Sequence, residues 1–436
     1  LFRSLGHASA IDPDAPLASM HALLRKHGPI LRLELPTERF VLLGSRALVA
    51  EVCDEDRFEK HIHSAIRGLR PLGGDGLFTA DSSDRNWGKA HRVLLPAFGP
   101  AAMHGYFDDM LDIAGQLMSK WERFGPEHRI DITDDMTRLT LDTIALCGFG
   151  ARFNSFYQRE MHPFIDAMLR ALAEGGRRSV RLPLQTQLML LTQQRFAGDI
   201  DFMFRVTDDL IARRRRSPEA GMTRDLLGLM LNARDPQTGE TLDDANIRHQ
   251  LVTFLVAGHE TTSGLLSFAV HALLQNPDAL ARARAEVDQI LGGETPRFEH
   301  LPRLGYIDQV LRETLRLYPT APAFGVHARR DTTLGGRYDV RAGDVFLTII
   351  PALHRDPEVW TDPERFEPAR FAPAARERLP PKAWLPFGNG QRACIGRKHR
   401  IVLVPLRRGF AHQCVGRLAG GEQRLRRGCL HHAGDR

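Results

Sequence analysis

This sequence predicts a mainly α-helical fold with a small β region, on three observations. The stretch from about Asp243 to Asn276 is apolar around most of a helix's circumference. Shorter stretches with helical spacing of apolar residues stop at glycines, and strand-like alternation occurs in only two regions.

The first β region is ILRLEL (30–35) and RFVLLG (39–44), two strands joined by a Pro-Thr-Glu turn. After Pro71 the pattern turns helical. MTRLTLDTIALCGFG (136–150) and HPFIDAMLRALAEGG (162–176) each end in glycines, the expected stop signal. RRRR at 213–216 reads as a solvated helix end favourable to the helix dipole. For the long helix, Thr241 with Asp244 offers a capping-box-like start and Pro277 a stop. At ~1.5 Å per residue it spans about 50 Å and must cross the interior. The second β region, LGGRYDVRAGDVFLTII (334–350), follows a Gly-Gly turn.

The chain has 436 residues, 43% of them hydrophobic, enough for a large core. No run approaches the ~18 to 20 apolar residues of a membrane span, and LFRSLGHASA lacks the apolar centre of a signal peptide. A cytoplasmic protein is expected; Leu1 in place of methionine suggests a longer parent. Cys53, Cys147, Cys394, Cys414 and Cys429 form no CxxC pair, which fits a reducing compartment. The formal charge of +6 resides in the tail. From Arg397 onward ten Lys/Arg face two acids, which leaves −2 for the body and no expectation of a nucleic-acid partner.

Three motifs carry chemistry. AGHETT (257–262) sets a glycine and polar residues inside an apolar rod, where glycine costs roughly 1 kcal/mol against alanine. Either threonine hydroxyls return to the backbone at a kink, or a small ligand sits in a groove beside Ala257 and Gly258 while Thr261 and Glu260 handle protons. RETLR (312–316) places Glu313 and Arg316 on one helical face, by itself the pattern of a surface ion pair. PFGNGQRACIG (386–396) surrounds Cys394 with Gly388, Gly390 and Gly396, whose tight turns would aim backbone N–H groups at a thiolate.

In that order, with FEPARF (366–371) added, these motifs resemble the cytochrome P-450 haem-thiolate monooxygenases. The similarity is greatest to the haem domain of self-sufficient bacterial fatty-acid hydroxylases, fused in their parent chains to an NADPH-dependent flavin reductase. GDGLFTA, RNWGKAH, RFNSFY and LRLYPTAPAF look like that group, from about Leu23 to Arg397.

The resemblance implies haem b bound by a haem domain at 1–396, with Cys394 as iron ligand and Phe387 packed beside the sulfur. Arg392, Trp87 and His91 would hold the haem propionates, and Glu313, Arg316 and Arg370 would form a buried network behind the haem. Thr261 and Glu260 would manage protons on the distal side. Phe78, Ile66, Ala321 and Ala257 would line an apolar channel. It further implies O2, a long-chain fatty acid or similar apolar substrate, and electrons from NADPH through the FAD and FMN of a flavoprotein reductase, fused or separate. Two departures stand out. Where the relatives hold a fatty-acid carboxylate with arginine and tyrosine, this chain has Glu38 and Leu42, with Arg39 the nearest substitute. The basic tail 397–436 lacks the family pattern and is expected to be poorly ordered or non-native. The competing expectation is therefore a haem-binding protein without turnover, a sensor or an inactive remnant.

Overall fold

The computed structural model describes residues 7–12, 15–35, 38–125, 129–181, 183–217 and 225–397. Of the Pro-Thr-Glu turn only Glu38 is described, and the expectation for 397–436 lies outside these residues apart from Arg397.

The fold is mainly helical, and the two β regions merge. The strands are β1 (Ile30–Glu34), β2 (Arg39–Leu43), β3 (Phe58–Lys60), β4 (Ala323–Ala328), β5 (Thr332–Leu334), β6 (Tyr338–Val340) and β7 (Val345–Ile349). Five of them form one sheet in the order β1-β2-β7-β4-β3, with β2 parallel to β7 and Val41 opposite Phe346. The Gly-Gly turn joins β5 to β6; Gly335 and Gly336 both take left-handed φ, 61° and 65°, which other residues rarely adopt.

Helix Ile132–Phe149 starts where the Asp131 carboxylate accepts the Asp134 N–H at 3.0 Å, and ends at left-handed Gly150 (φ 61°). The next expected stop fails. Helix Pro163–Val180 runs through Gly175 and Gly176, because Gly175 serves a close crossing: a Cβ there would overlap the Leu69 side chain and approach the Gly68 carbonyl. The arginine run is a largely solvated helix end, as expected, with Arg213, Arg215 and Arg216 exposed and Arg214 the exception. Helix Leu190–Arg216 ends with Arg214 buried and bidentate to Asp225 (2.8 and 2.7 Å), and Arg213 and Arg215 pair with Asp209 and Asp244. The acidic groups that neutralise the run come from this chain.

The central helix spans Asp244–Gln275, about 48 Å at ~1.5 Å per residue, and is buried along most of its length. Its N-cap is Asp243, accepting the Asn246 N–H at 2.8 Å, so Thr241 does not cap it; a carboxylate one residue before the first turn reaches that amide directly. Pro277 opens the following helix, Pro277–Leu291. Gly258 lets helix Ile132–Phe149 come close: a Cβ would press on the Ile144 side chain at 3.2 Å, and nearby Thr140 Oγ1 donates to the His259 carbonyl at 3.1 Å. The missing side chain at 258 thus serves packing, while Ala257 lies on an accessible face.

Glu313 and Arg316, on helix Gly305–Leu317, are fully buried, so the surface-pair pattern does not apply. Arg316 donates to both Glu313 oxygens at 2.7 Å and to the carbonyls of His354 (3.0 Å), Pro363 (2.6 Å) and Arg365 (3.0 Å). Glu313 also accepts the Glu367 N–H at 2.8 Å, with Arg370 Nε at 3.5 Å. Burial pushes the Glu313 carboxyl up, and its partnership with Arg316 opposes that. Removing one member strands the other in the core. Glu313→Ala is expected to lower unfolding free energy by about 3–5 kcal/mol, read by urea denaturation; a loss within ~1 kcal/mol would show that the node is not integral to stability.

Candidate functional site

Three described cysteines differ sharply in setting. Cys53 and Cys147 are buried, and burial pushes their thiols up, that of Cys53 to about 11; Cys394 alone is exposed. A metal needs an accessible thiolate, so Cys394 is the candidate. Its loop is pinned from both ends. Leu385 N–H donates to His354 Nε2 at 3.0 Å, joining the loop to the Arg316 node, and Cys394 N–H donates to the Phe387 carbonyl at 2.8 Å. Gly388 (φ 70°) and Gly390 (φ 65°) make the turns, and a Cβ on Gly390 would overlap the Glu55 carboxylate. Gly396 does not share that role: its φ is not left-handed, and a Cβ there would make ordinary contacts, 3.7 Å to Phe98 and 3.9 Å to the Cys394 sulfur. Phe387 packs edge-on to Trp384 with ring centroids 5.8 Å apart.

Beside this loop lies a cradle of cations. The Arg392 guanidinium sits 4.3 Å from the Trp87 ring centroid, and Trp87 stacks on His91 at 5.1 Å. Arg392 Nη2 donates to the Ala80 carbonyl at 2.7 Å, and burial pushes its pKa down to about 10. Lys60 Nζ donates to the Phe78 carbonyl at 3.2 Å and stands 5.4 Å from that ring's centroid. Burial, and after it the charge of Arg392, lowers Lys60 to about 7. Among the described residues neither cation forms an ion pair with a carboxylate. Two partly desolvated cations near an accessible sulfur fit a planar cofactor with anionic carboxylates, so the residues suit a haem. Lys60 was not among the residues expected from sequence; a lysine at the end of a short strand carries no local signal.

The central helix presents Ala257, Thr261 and Gly264 at spacings of four and three, one helical face. Ala257 and Glu260 present accessible surface in the middle of an otherwise buried helix, and burial still pushes the Glu260 carboxyl up. Those two facts agree if Glu260 faces an enclosed space. Thr261 Oγ1 donates to the Ala257 carbonyl at 2.7 Å, the backbone return weighed from sequence. A Cβ on Gly264 would meet Thr320 at 3.1 Å, which brings exposed Ala321 beside this face. The loop carrying Phe78, 43% exposed, is laid onto the same helix by Leu77 N–H donating to Gln250 at 3.0 Å. Ile66 is half-buried on the short helix Ser64–Arg67. Glu313, Arg316 and Arg370 spend their contacts on one another, on backbone, on the Glu367 carboxylate (3.0 Å from Arg370) and on the Trp360 ring (5.2 Å from Arg316).

A family model described as cytochrome P-450 matches residues 3–398. The chain belongs to the cytochrome P-450 family. It is 53% identical over 375 residues to the bifunctional cytochrome P-450/NADPH–P-450 reductase 2 of Bacillus subtilis (strain 168), covering 86% of this chain and 35% of that protein. It is 46% identical over 395 residues to a self-sufficient cytochrome P-450 monooxygenase of Phanerodontia chrysosporium, covering 90% and 37%. The similar bifunctional protein of Fusarium oxysporum is 47% identical over 387 residues, covering 88% and 36%. The chain therefore spans little more than a third of the length of these relatives. The cytochrome P-450 family is one of haem monooxygenases, and the cysteine loop and cation cradle are where this member's residues suit the haem.

At Glu38 this P-450 has an anion that is already satisfied. Its carboxylate lies 2.7 Å from His61 Nε2 and accepts the Ser64 N–H at 2.8 Å. Burial pushes it up, but the hydrogen bonds from His61 and Ser64 prevail and hold it near 2. Leu42 is fully buried in the core, and Arg39 points outward beside Glu34 at 3.9 Å with its side chain 81% exposed.

Haem retention is expected to depend on Lys60. Only its protonated form attracts a carboxylate, and a bound carboxylate raises the pKa of Lys60 above its unpartnered value of about 7, so haem release to apomyoglobin should stay slow below about pH 7 and quicken at higher pH. Lys60→Met should raise the release rate at pH 6 about tenfold and flatten its pH dependence; an unchanged profile would remove Lys60 from the cradle.

Proposed function

We propose that this protein hydroxylates an unactivated C–H bond in a long-chain fatty acid or similar apolar molecule, using O2 and two electrons drawn from NADPH through a flavoprotein reductase. One oxygen atom enters the product; the other leaves as water with the two electrons and two protons. The haem, when bound, supplies oxygen activation. The observation that carries the reading is the accessible Cys394 thiol beside Arg392 and Lys60, cations without carboxylate partners among the described residues, in a loop pinned to the buried Arg316 node.

The chain's own residues divide the remaining work. Arg392, Lys60, Trp87 and His91 hold and orient the haem's carboxylate edge. Phe78, Ile66, Ala321 and Ala257 wall the apolar substrate and keep water away from the reacting carbon. Glu260, with its carboxyl pushed up by burial, holds a proton that can be delivered on the distal side. The Thr261 hydroxyl, parked on the Ala257 carbonyl, is poised to pass it on. Residues 1–396 form the haem domain of this reading, with a cytoplasmic setting. The FAD and FMN that would relay NADPH electrons belong to the reductase; the relatives from Bacillus subtilis and Fusarium oxysporum are bifunctional cytochrome P-450/NADPH–P-450 reductases.

The haem-loaded protein, a flavoprotein reductase, NADPH and dodecanoate test this together. Hydroxydodecanoate should form with NADPH consumption matched to product. Thr261→Ala should leave NADPH oxidation running while product per NADPH falls at least about tenfold. Unchanged coupling would remove Thr261 from the proton path, and the absence of NADPH-dependent product from dodecanoate and dodecane alike would favour the haem protein without turnover.

A further inference from the structure

The stretch GGDGLF (73–78) runs onto the central helix and ends in Phe78. It lies closer to that helix than side chains would permit. Gly74 takes a left-handed φ of 46°, and a Cβ there would fall 2.2 Å from the His249 ring. A Cβ on Gly76 would stand 2.4 Å from Thr253 Oγ1.

What holds the loop there is polar. Asp75 Oδ1 lies 2.7 Å from His249 Nδ1, and Asp75 Oδ2 accepts Asn86 Nδ2 at 2.6 Å. The Asp75 carbonyl accepts Asn246 Nδ2 at 3.4 Å, and Leu77 N–H donates to fully buried Gln250 at 3.0 Å. The hydrogen bond from His249 holds the Asp75 carboxyl well below the usual carboxylate range. Phe204, on helix Leu190–Arg216, packs beside the imidazole with ring centroids 5.9 Å apart. Asn246, His249, Gln250 and Thr253 recur at spacings of three and four, and the same row continues through Ala257 to Thr261. The latch and the open face therefore belong to one stripe of one helix.

The far end of the loop is gripped from the other side, by Lys60 on the Phe78 carbonyl and Arg392 on the Ala80 carbonyl. Those two cations are the ones assigned to the haem carboxylates, so the helix side is the anchorage that a bound haem does not share. Phe78 follows Asp75 by three residues, and its ring centroid stands 5.4 Å from Lys60 Nζ. We infer that His249 is a positioning residue: latched to Asp75, it fixes the Phe78 ring beside the haem and thereby sets which carbon of the substrate reaches the reacting centre. This rests on the proposed function, in which Phe78 walls the substrate.

Azole binding to the haem-loaded full chain, read from the haem spectrum, tests the latch without turnover. Imidazole is small enough to clear Phe78, whereas 4-phenylimidazole must displace it. His249→Leu should tighten 4-phenylimidazole about tenfold and leave imidazole within about twofold of wild type. Asp75→Ala, a second way to open the latch should the first variant not fold, should do the same. His249→Gln, whose amide can still donate to Asp75, should return toward wild type. In a Phe78→Ala background, His249→Leu should add little, because the latch then has no ring to hold. With dodecanoate and a reductase, His249→Leu should spread hydroxylation over more carbons than wild type. Unchanged azole selectivity in both latch variants, a full effect of His249→Leu in the Phe78→Ala background, or unaltered product positions would overturn the inference. Wild type that shows the azole selectivity but forms no hydroxydodecanoate would overturn the proposed reaction and leave the latch standing.

Discussion

The fold around the site depends on an ion pair that never meets water. Arg316 has no exposed surface, and its guanidinium is spent on Glu313 and on three backbone carbonyls from 354 to 365. Those carbonyls belong to chain without long helices or strands, which could not otherwise satisfy its polar groups in the interior. A planar donor fork reaches several of them at once in a way that no ammonium could. His354 then extends the order outward, because its ring nitrogen accepts the Leu385 amide at the start of the cysteine loop. The position of the sulfur is thereby inherited from a charge pair some eighty residues earlier in the chain.

The central helix solves a second problem with the same economy of residues. One face must pack tightly and the opposite face must stay open. Gly258 and His259 turn toward helix Ile132–Phe149, where a Cβ would crowd Ile144 and Thr140 reaches a carbonyl. Ala257, Glu260 and Thr261 turn to the other side. A helical repeat of 3.6 residues is what lets adjacent positions in AGHETT serve these opposed demands. The consequence is electrostatic as well as steric: a carboxyl on the open face still lies deep enough for burial to favour its protonated form.

Much of this was legible in the sequence, and the failures share a cause. The mainly helical class, the long buried helix, both β regions and the cysteine loop follow from periodicity and from glycine and proline placement, which are local. What local pattern could not supply was the partner. Gly175 and Gly176 read as a helix stop because the crossing with Gly68 lies over a hundred residues away. RRRR reads as solvated, which holds for three of its members, but buried Arg214 escapes that reading because Asp225 is invisible to a helix-end rule. Glu313 and Arg316 look like a surface pair until family resemblance supplies their burial. Lys60 is the plainest case: only the fold sets it next to Arg392 and removes its water.

These charges suit a planar anionic cofactor, whose metal, we propose, would be held by the Cys394 sulfur. The carbon monoxide difference spectrum of the reduced, haem-loaded protein tests that proposal most directly. The account predicts the red-shifted band of a thiolate-bound haem, lost in Cys394→Ala. An unshifted band of the nitrogen-ligated kind in the wild type, or a red-shifted band that persists in Cys394→Ala, would contradict it.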